Sequence, residues 1–247
     1  NYIQNIDMNY IEKEKVKFKV DYLMMDDINF DLVFNFITED NVDNHEQISV
    51  RGLKITDENN NQIYIDSEDY NIWSKNIAFV GGNWSLIEKD GHNLRQVLHL
   101  FSNEFPKSNK IYVSFDSVIL YNVNNGNQIT TEYKDNYKLE FDVSNQLKER
   151  QTIEYVSDNP NIEKAILTNS GFAITTKPII NSSNVMVKDE NGKTYTLTTY
   201  HNIANIENQS IDNIDKQVLI FNITQYSPTD KITLMLDNNT NITFLKK

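Results

Sequence analysis

Apolar and polar residues alternate along much of the chain. Val16-Lys17-Phe18-Lys19-Val20, Phe30-Asp31-Leu32-Val33-Phe34-Asn35-Phe36 and Ile111-Tyr112-Val113-Ser114-Phe115-Asp116-Ser117-Val118 repeat their large apolar side chains at a period near two, the spacing of a strand with one face on a core and the other in water. Asn- and Asp-rich clusters at residues 57–61, 122–127 and 189–192 separate such segments, and these residue types tolerate the left-handed backbone of tight turns. Strands recurring every ~8–12 residues between hairpin-type turns predict antiparallel sandwiches and not a doubly wound α/β sheet. Two segments compete for helix. Residues 1–10 are expected to form a short turn of helix. Residues 93–103 carry Leu94, Val97, Leu98 and Phe101 at helical spacing, yet the run Val97-Leu98-His99-Leu100-Phe101 fits a buried strand, and Pro106 ends the segment. Strand is the preferred reading there.

An internal echo bears on domain organisation. Residues 53–65, with Asp57-Glu58-Asn59 at their centre, align without a gap on residues 185–197, with Asp189-Glu190-Asn191 at theirs. Both halves are therefore expected to contain the same kind of hairpin, each in its own sheet. The polar stretch 144–150 breaks the alternation and marks the expected boundary, giving domains 1–148 and 149–247. The predicted fold class is all-β, with two antiparallel immunoglobulin-like β-sandwich domains in tandem.

Composition narrows the function classes. The 247 residues include 39% hydrophobic and 23% charged positions, enough apolar material for a core and too much for a disordered chain. Asn and Ile are abundant while Gly numbers 7 and Pro 4, a bias that opposes long helices. With 23 Lys+Arg against 35 Asp+Glu the net charge is −12, which argues against nucleic acid as a partner because phosphate contacts need clustered cations. The absence of Cys removes disulfides, Cys-zinc sites and thiol nucleophiles. No run of about 18 apolar residues occurs. The chain opens at Asn1 without an initiator Met, and an anchoring or targeting segment is expected upstream.

Searching for chemistry yields little. There is no Gly-x-Ser-x-Gly elbow, His-Glu-x-x-His helix or Gly-rich phosphate loop. Of His45, His92, His99 and His201, only His92 and His99 are close, and on a strand their spacing puts them on opposite faces, so no metal ligand is assigned. Carboxylates cluster at Asp26-Asp27, Glu39-Asp40, Asp57-Glu58 and Asp66-Ser67-Glu68-Asp69. Paired acids could serve a glycosidase, but solvated loop acids are the ordinary explanation in so acidic a chain. Counting from Asp57, residues Asn59, Asn61 and Glu68 imitate positions three, five and twelve of a calcium loop, while Gln62 stands where the turn requires Gly. A hairpin is the better reading. Trp73 and Trp84 flank Gly81-Gly82 and are read as core anchors in preference to a ligand platform. No catalytic, cofactor or metal residue is assigned, and no cofactor is expected.

One resemblance gives these strands a context. Residues 20–36, with Asp26-Asp27-Ile28-Asn29 between two strands, resemble the extracytoplasmic domains of unknown function in clostridial and bacillar anti-sigma-factor-like membrane proteins. Similarity extends to Leu53-Lys54-Ile55-Thr56-Asp57-Glu58-Asn59, to the strand start Phe105-Pro106-Lys107-Ser108-Asn109-Lys110-Ile111-Tyr112-Val113 and to Tyr137-Lys138-Leu139-Glu140-Phe141-Asp142-Val143-Ser144. That last strand lacks the Trp the family carries there. From about Gln151 the chain is similar to the companion β domain, with residues 162–172 in place of its early hairpin. The resemblance implies a non-enzymatic sensing or interaction region on the outer face of the membrane. It further implies an upstream single-pass anchor, an unknown extracellular partner or ligand, and a sigma factor held only by a cytoplasmic segment absent from this chain. A surface adhesion or ligand-binding module unrelated to sigma control is the alternative.

Overall fold

A computed structural model describes residues 3–43, 47–66, 81–101, 105, 107–124, 127–144, 151–180, 184–204, 214–226, 229–236 and 240–247. The chain divides into two compact units, one of Asn1–Met25, Phe30–Leu100 and Phe105–Glu149, the other of Asp26–Asn29, Phe101–Glu104 and Arg150–Lys247. Among the described residues the regular elements are strands, and all their pairings are antiparallel.

In the first unit, one sheet runs β1 (Ile3–Asn5), β3 (Val16–Met25), β4 (Asn29–Thr38), β9 (Asn93–Phe101), β8 (Gly81–Asp90), with β2 (Ile11–Glu12) also on β3. The other runs β11 (Asn127–Asp142), β10 (Lys110–Asn124), β6 (Lys54–Asp57), β7 (Gln62–Ile65), with β5 (Gln47–Arg51) also on β10. Alternation in β3 buries Val16, Phe18 and Val20 on one face, where Phe18 meets the second sheet. Its ring lies 5.0 Å from that of Phe115 and 5.4 Å from that of Tyr137, which stack on each other at 4.6 Å. Each such aromatic pair adds about 0.5–1.5 kcal/mol beyond its buried area. Residues 3–5 form a strand where a helical turn was expected. Their register on β3, Ile3 opposite Met24, gives the backbone partners that a lone helical turn lacks.

The second unit closes on itself in the order β12 (Ile153–Val156), β13 (Ile162–Leu167), β14 (Phe172–Thr176), β17 (Ile214–Phe221), β16 (Thr194–Ala204), β15 (Met186–Asp189), β18 (Lys231–Met235), β19 (Asn241–Lys246). This barrel is filled by side chains, including Phe172, whose ring lies 5.4 Å from that of Tyr155 and 5.7 Å from that of Phe244. The all-β, antiparallel expectation therefore holds. The immunoglobulin-like sandwich expected for the second half gives way to a closed barrel, because β16 is long enough to pair β15 at one end and β17 at the other.

The two units share one strand circuit. Counting β7 and β8 as two halves of β16, the first unit repeats the barrel order, opened between β7 and β8, the end strands of its two sheets. At the second seam, where β12 pairs β19, the first unit has a side-chain bond from Gln4 Nε2 to the Asp142 carbonyl at 2.8 Å. Registers coincide. Ile111 faces Asp57 and Phe141, while Ile232 faces Asp189 and Phe244. The turns match as well: Asp26 N donates to Asn29 O at 2.9 Å and Thr168 N to Gly171 O at 2.8 Å. A second gapless alignment follows, residues 95–115 on 216–236, with Gln96, Val97, Leu98, Lys110 and Ile111 repeated as Gln217, Val218, Leu219, Lys231 and Ile232.

Candidate functional site

The hairpins β10–β11 and β18–β19 are equivalent up to Phe115 and Leu236, and then diverge. In the barrel, Leu236 N bonds to Thr240 O at 3.0 Å, so only residues 237–239 lie between them. In the first unit Phe115 pairs Tyr137, and residues 116–136 stand in that place. They prolong the hairpin, and β5 adds a third strand to it, with Arg51 opposite Ser117 and Gln47 opposite Tyr121. At the root of this extension the register shifts between Phe115 and Ser117, so that Asp135 and Asn136 of β11 together oppose Asp116. Such a β-bulge bends the strand and re-aims side chains. The core-facing residues change phase there too, from Ile111, Val113 and Phe115 to Val118 and Leu120, while Ser117 and Ile119 between them are also buried.

A cleft of about 480 Å³ opens at the bulge, lined by Arg51, Asp116, Ser117, Glu132, Lys134, Asp135 and Asn136. Glu132 is its hub. It accepts from the Ser117 hydroxyl at 2.8 Å and from Arg51 Nη1 at 2.9 Å on one oxygen, and lies 3.4 Å from Lys134 Nζ through the other. The Ser117 hydroxyl first, then Arg51 and Lys134, hold its carboxyl below the usual range. Asp135 is lowered by the Asn136 backbone N–H at 2.6 Å and by Lys13 at 3.1 Å. Arg51 and Lys134 remain 62% and 76% exposed, so both cations can engage a ligand as well as Glu132. Asp116 is exposed. It is held against the left-handed Gly52 (φ 69°), where a Cβ would come within 2.2 Å of Asp116 Oδ2.

The acids noted in the sequence go mostly into structure. Asp26 Oδ1 accepts from the backbone N–H of Ile28 and of Asn29, both at 3.0 Å. Glu39 pairs Lys15 at 3.3 Å, and Asp40 accepts from the Tyr133 hydroxyl. Asp57 is buried and closes the β6–β7 turn, with Oδ1 receiving the N–H of Asn59 and Asn61 at 2.8 and 2.7 Å. Its Oδ2 receives Asn61 Nδ2 at 2.7 Å and Ser108 Oγ at 2.9 Å. Burial alone would raise its pKa, but these hydrogen bonds outweigh that and lower it. Glu58 ties the turn to the start of β10 through the N–H of Asn109 and Lys110 at 2.8 and 2.6 Å. Asn61 thus donates to Asp57, and the calcium-like spacing belongs to a hairpin. Asp66 accepts from Gly52 N at 3.3 Å; Ser67, Glu68 and Asp69 lie outside the described residues.

His92 and His99 have separate partners. His92 Nδ1 lies 3.0 Å from Thr38 O and His99 Nδ1 2.9 Å from Asp31 Oδ1, while His201 falls in β16 and His45 is outside the described residues. Among the described residues no three His, Asp or Glu converge on a metal-sized site, and no helix is long and apolar enough to cross a membrane. Trp84 packs on the first core, 5.5 Å from the Phe34 ring; Trp73 is outside the described residues.

No protein-family model and no curated protein matches the chain. Among solved structures it is similar to that of a conserved domain protein from Bacillus anthracis. The likeness covers 94% of this chain and 76% of that one, at 12% identity and a TM-score of 0.52. At that identity the likeness is one of fold.

Proposed function

We propose that this chain is a non-enzymatic recognition region on the extracytoplasmic face of the cell, belonging to a membrane-tethered anti-sigma-factor-like regulator. The observation that supports the recognition role is the cleft at the root of the β5–β10–β11 extension, where charged groups of both signs are held open to solvent, while the location and the sigma-factor link draw on the resemblance carried by residues 20–36. Recognition groups collect on insertions carried by a rigid scaffold, and this extension is an addition of the first unit to the circuit the two units have in common. The kinship of the first unit to immunoglobulin-like sandwiches belongs to the same proposal and draws on its two facing antiparallel sheets. In this reading the anchor and the sigma-binding segment lie outside the chain, and an extracellular ligand or protein meets the cleft. Ligand occupancy would then shift the balance between states of the whole regulator.

The test uses the full-length protein in its own cells. Lysines of this chain are expected to react with a membrane-impermeant amine reagent added outside, and replacing residues 116–136 by Asp-Asn-Asn is expected to change output from the regulated promoter. Labelling from outside with unchanged promoter output would favour a surface ligand-binding module unrelated to sigma control. Protection of every lysine would overturn the extracytoplasmic assignment.

A further inference from the structure

Resting on that reading of the cleft, we infer that its ligand is a small zwitterion, an amino acid or short peptide presenting an ammonium and a carboxylate to opposite sides of the bulge. The argument is one of charge matching. The Arg51 guanidinium is held by Glu132 through a single nitrogen and is 62% exposed, leaving its other donors for a ligand carboxylate. Lys134, 76% exposed, stands beside it on the same carboxylate. Gly52 follows Arg51 in the chain and packs against the Asp116 carboxylate, which is exposed and so free to take an ammonium.

Other ligand classes fit less well. A simple anion would meet Asp116 and Asp135 in a chain of net charge −12, and a simple cation would meet Arg51 and Lys134. A neutral polyol would leave both signs without an ionic partner, and an apolar ligand would desolvate them. The volume of about 480 Å³ lies within the span of small-molecule sites, about 300–1,000 Å³. Pre-organisation is visible: Ser117 and Arg51 fix Glu132, and the missing Cβ of Gly52 makes room for Asp116.

Calorimetric titration of the purified chain with glycine, L-alanine and glycylglycine tests the assignment, with N-acetylglycine, methylamine and glucose as singly charged or neutral probes. The zwitterions are expected to bind, and each singly charged probe to bind about tenfold weaker or less, the effect of losing one charged partner. Asp116→Asn and Arg51→Gln are each expected to cut zwitterion affinity about tenfold. Glu140→Gln, on the same sheet but paired with Lys110, should leave it unchanged. Equal affinity for zwitterions and singly charged probes, or insensitivity to both cleft variants, would overturn the inference. Glucose binding that Asp116→Asn weakens, without zwitterion binding, would sink the ligand class and keep the recognition reading. If no probe binds, the zwitterion assignment fails; the promoter response to replacing residues 116–136 then decides the recognition reading by itself.

Discussion

Asp57 shows how one buried carboxylate can organise a turn. Four donors converge on it, three from its own hairpin and one from Ser108 before β10. Asp57→Ala leaves those donors without an acceptor and is expected to cost about 2–3 kcal/mol, read from urea unfolding. Its pKa is lowered on folding, so its contribution is complete above the unfolded value of about 4 and is lost as pH falls through the folded value. Asp57→Asn should flatten that acid limb, whereas an unchanged limb would show that other carboxylates carry it. Gly52 is the second residue-level constraint. Gly52→Ala must hold a positive φ and push Asp116 aside, with an expected cost of about 1–2 kcal/mol from the backbone alone. Asp57 and its Asn-rich turn were readable in the chain as turn chemistry. Gly52 was not, because what it accommodates is 64 residues away in sequence.

At the scale of elements, hairpins account for most of what could be read. The echo of residues 53–65 in 185–197 corresponds to two hairpins with the same closure. Asp57 N bonds to Asn61 O and Asp189 N to Lys193 O, and the left-handed position falls on Asn60 and on Gly192. Even the outward tie is repeated, from Glu58 to the N–H of Asn109 and from Glu190 to that of Asp230. The extension is the largest described difference within the matching hairpins β10–β11 and β18–β19. Replacing residues 116–136 by Asp-Asn-Asn should leave the β10–β11 pairing from Phe115 and Tyr137 outward intact, because Leu236 and Thr240 are joined by three residues. Near-UV circular dichroism is expected to persist while ligand binding disappears. Collapse of the spectrum would mean that Val118, Leu120 and Tyr133, which the extension contributes to the core, are indispensable to it. The bulge has a counterpart in the core, whose members pass from the odd positions Ile111, Val113 and Phe115 to the even ones Val118 and Leu120, although Ser117 and Ile119 are buried as well. An alternating run read as one strand conceals that slip.

For the whole molecule, the largest core cluster of each unit is a site of vulnerability of its own. Phe18 joins the facing sheets of the first unit and Phe172 fills the barrel of the second. Phe18→Ala and Phe172→Ala are each expected to cost about 3–5 kcal/mol, with hydrogen-exchange protection falling in the strands of the altered unit. Loss of protection spread evenly over both units in either variant would refute that separation. What the sequence determined by itself is the all-β, antiparallel character, the turn positions and the acidic surface, because period-two burial and turn chemistry are local properties of the chain. Whether a strand circuit stays open as two sheets or closes as a barrel was decided in three dimensions. It depends on β16 running unbroken between two partners, where the first unit has two strands, β7 and β8, that end separate sheets. The cleft is likewise a tertiary product, since Arg51, Asp116 and Glu132 meet only through the register of three strands, and register depends on which backbones pair.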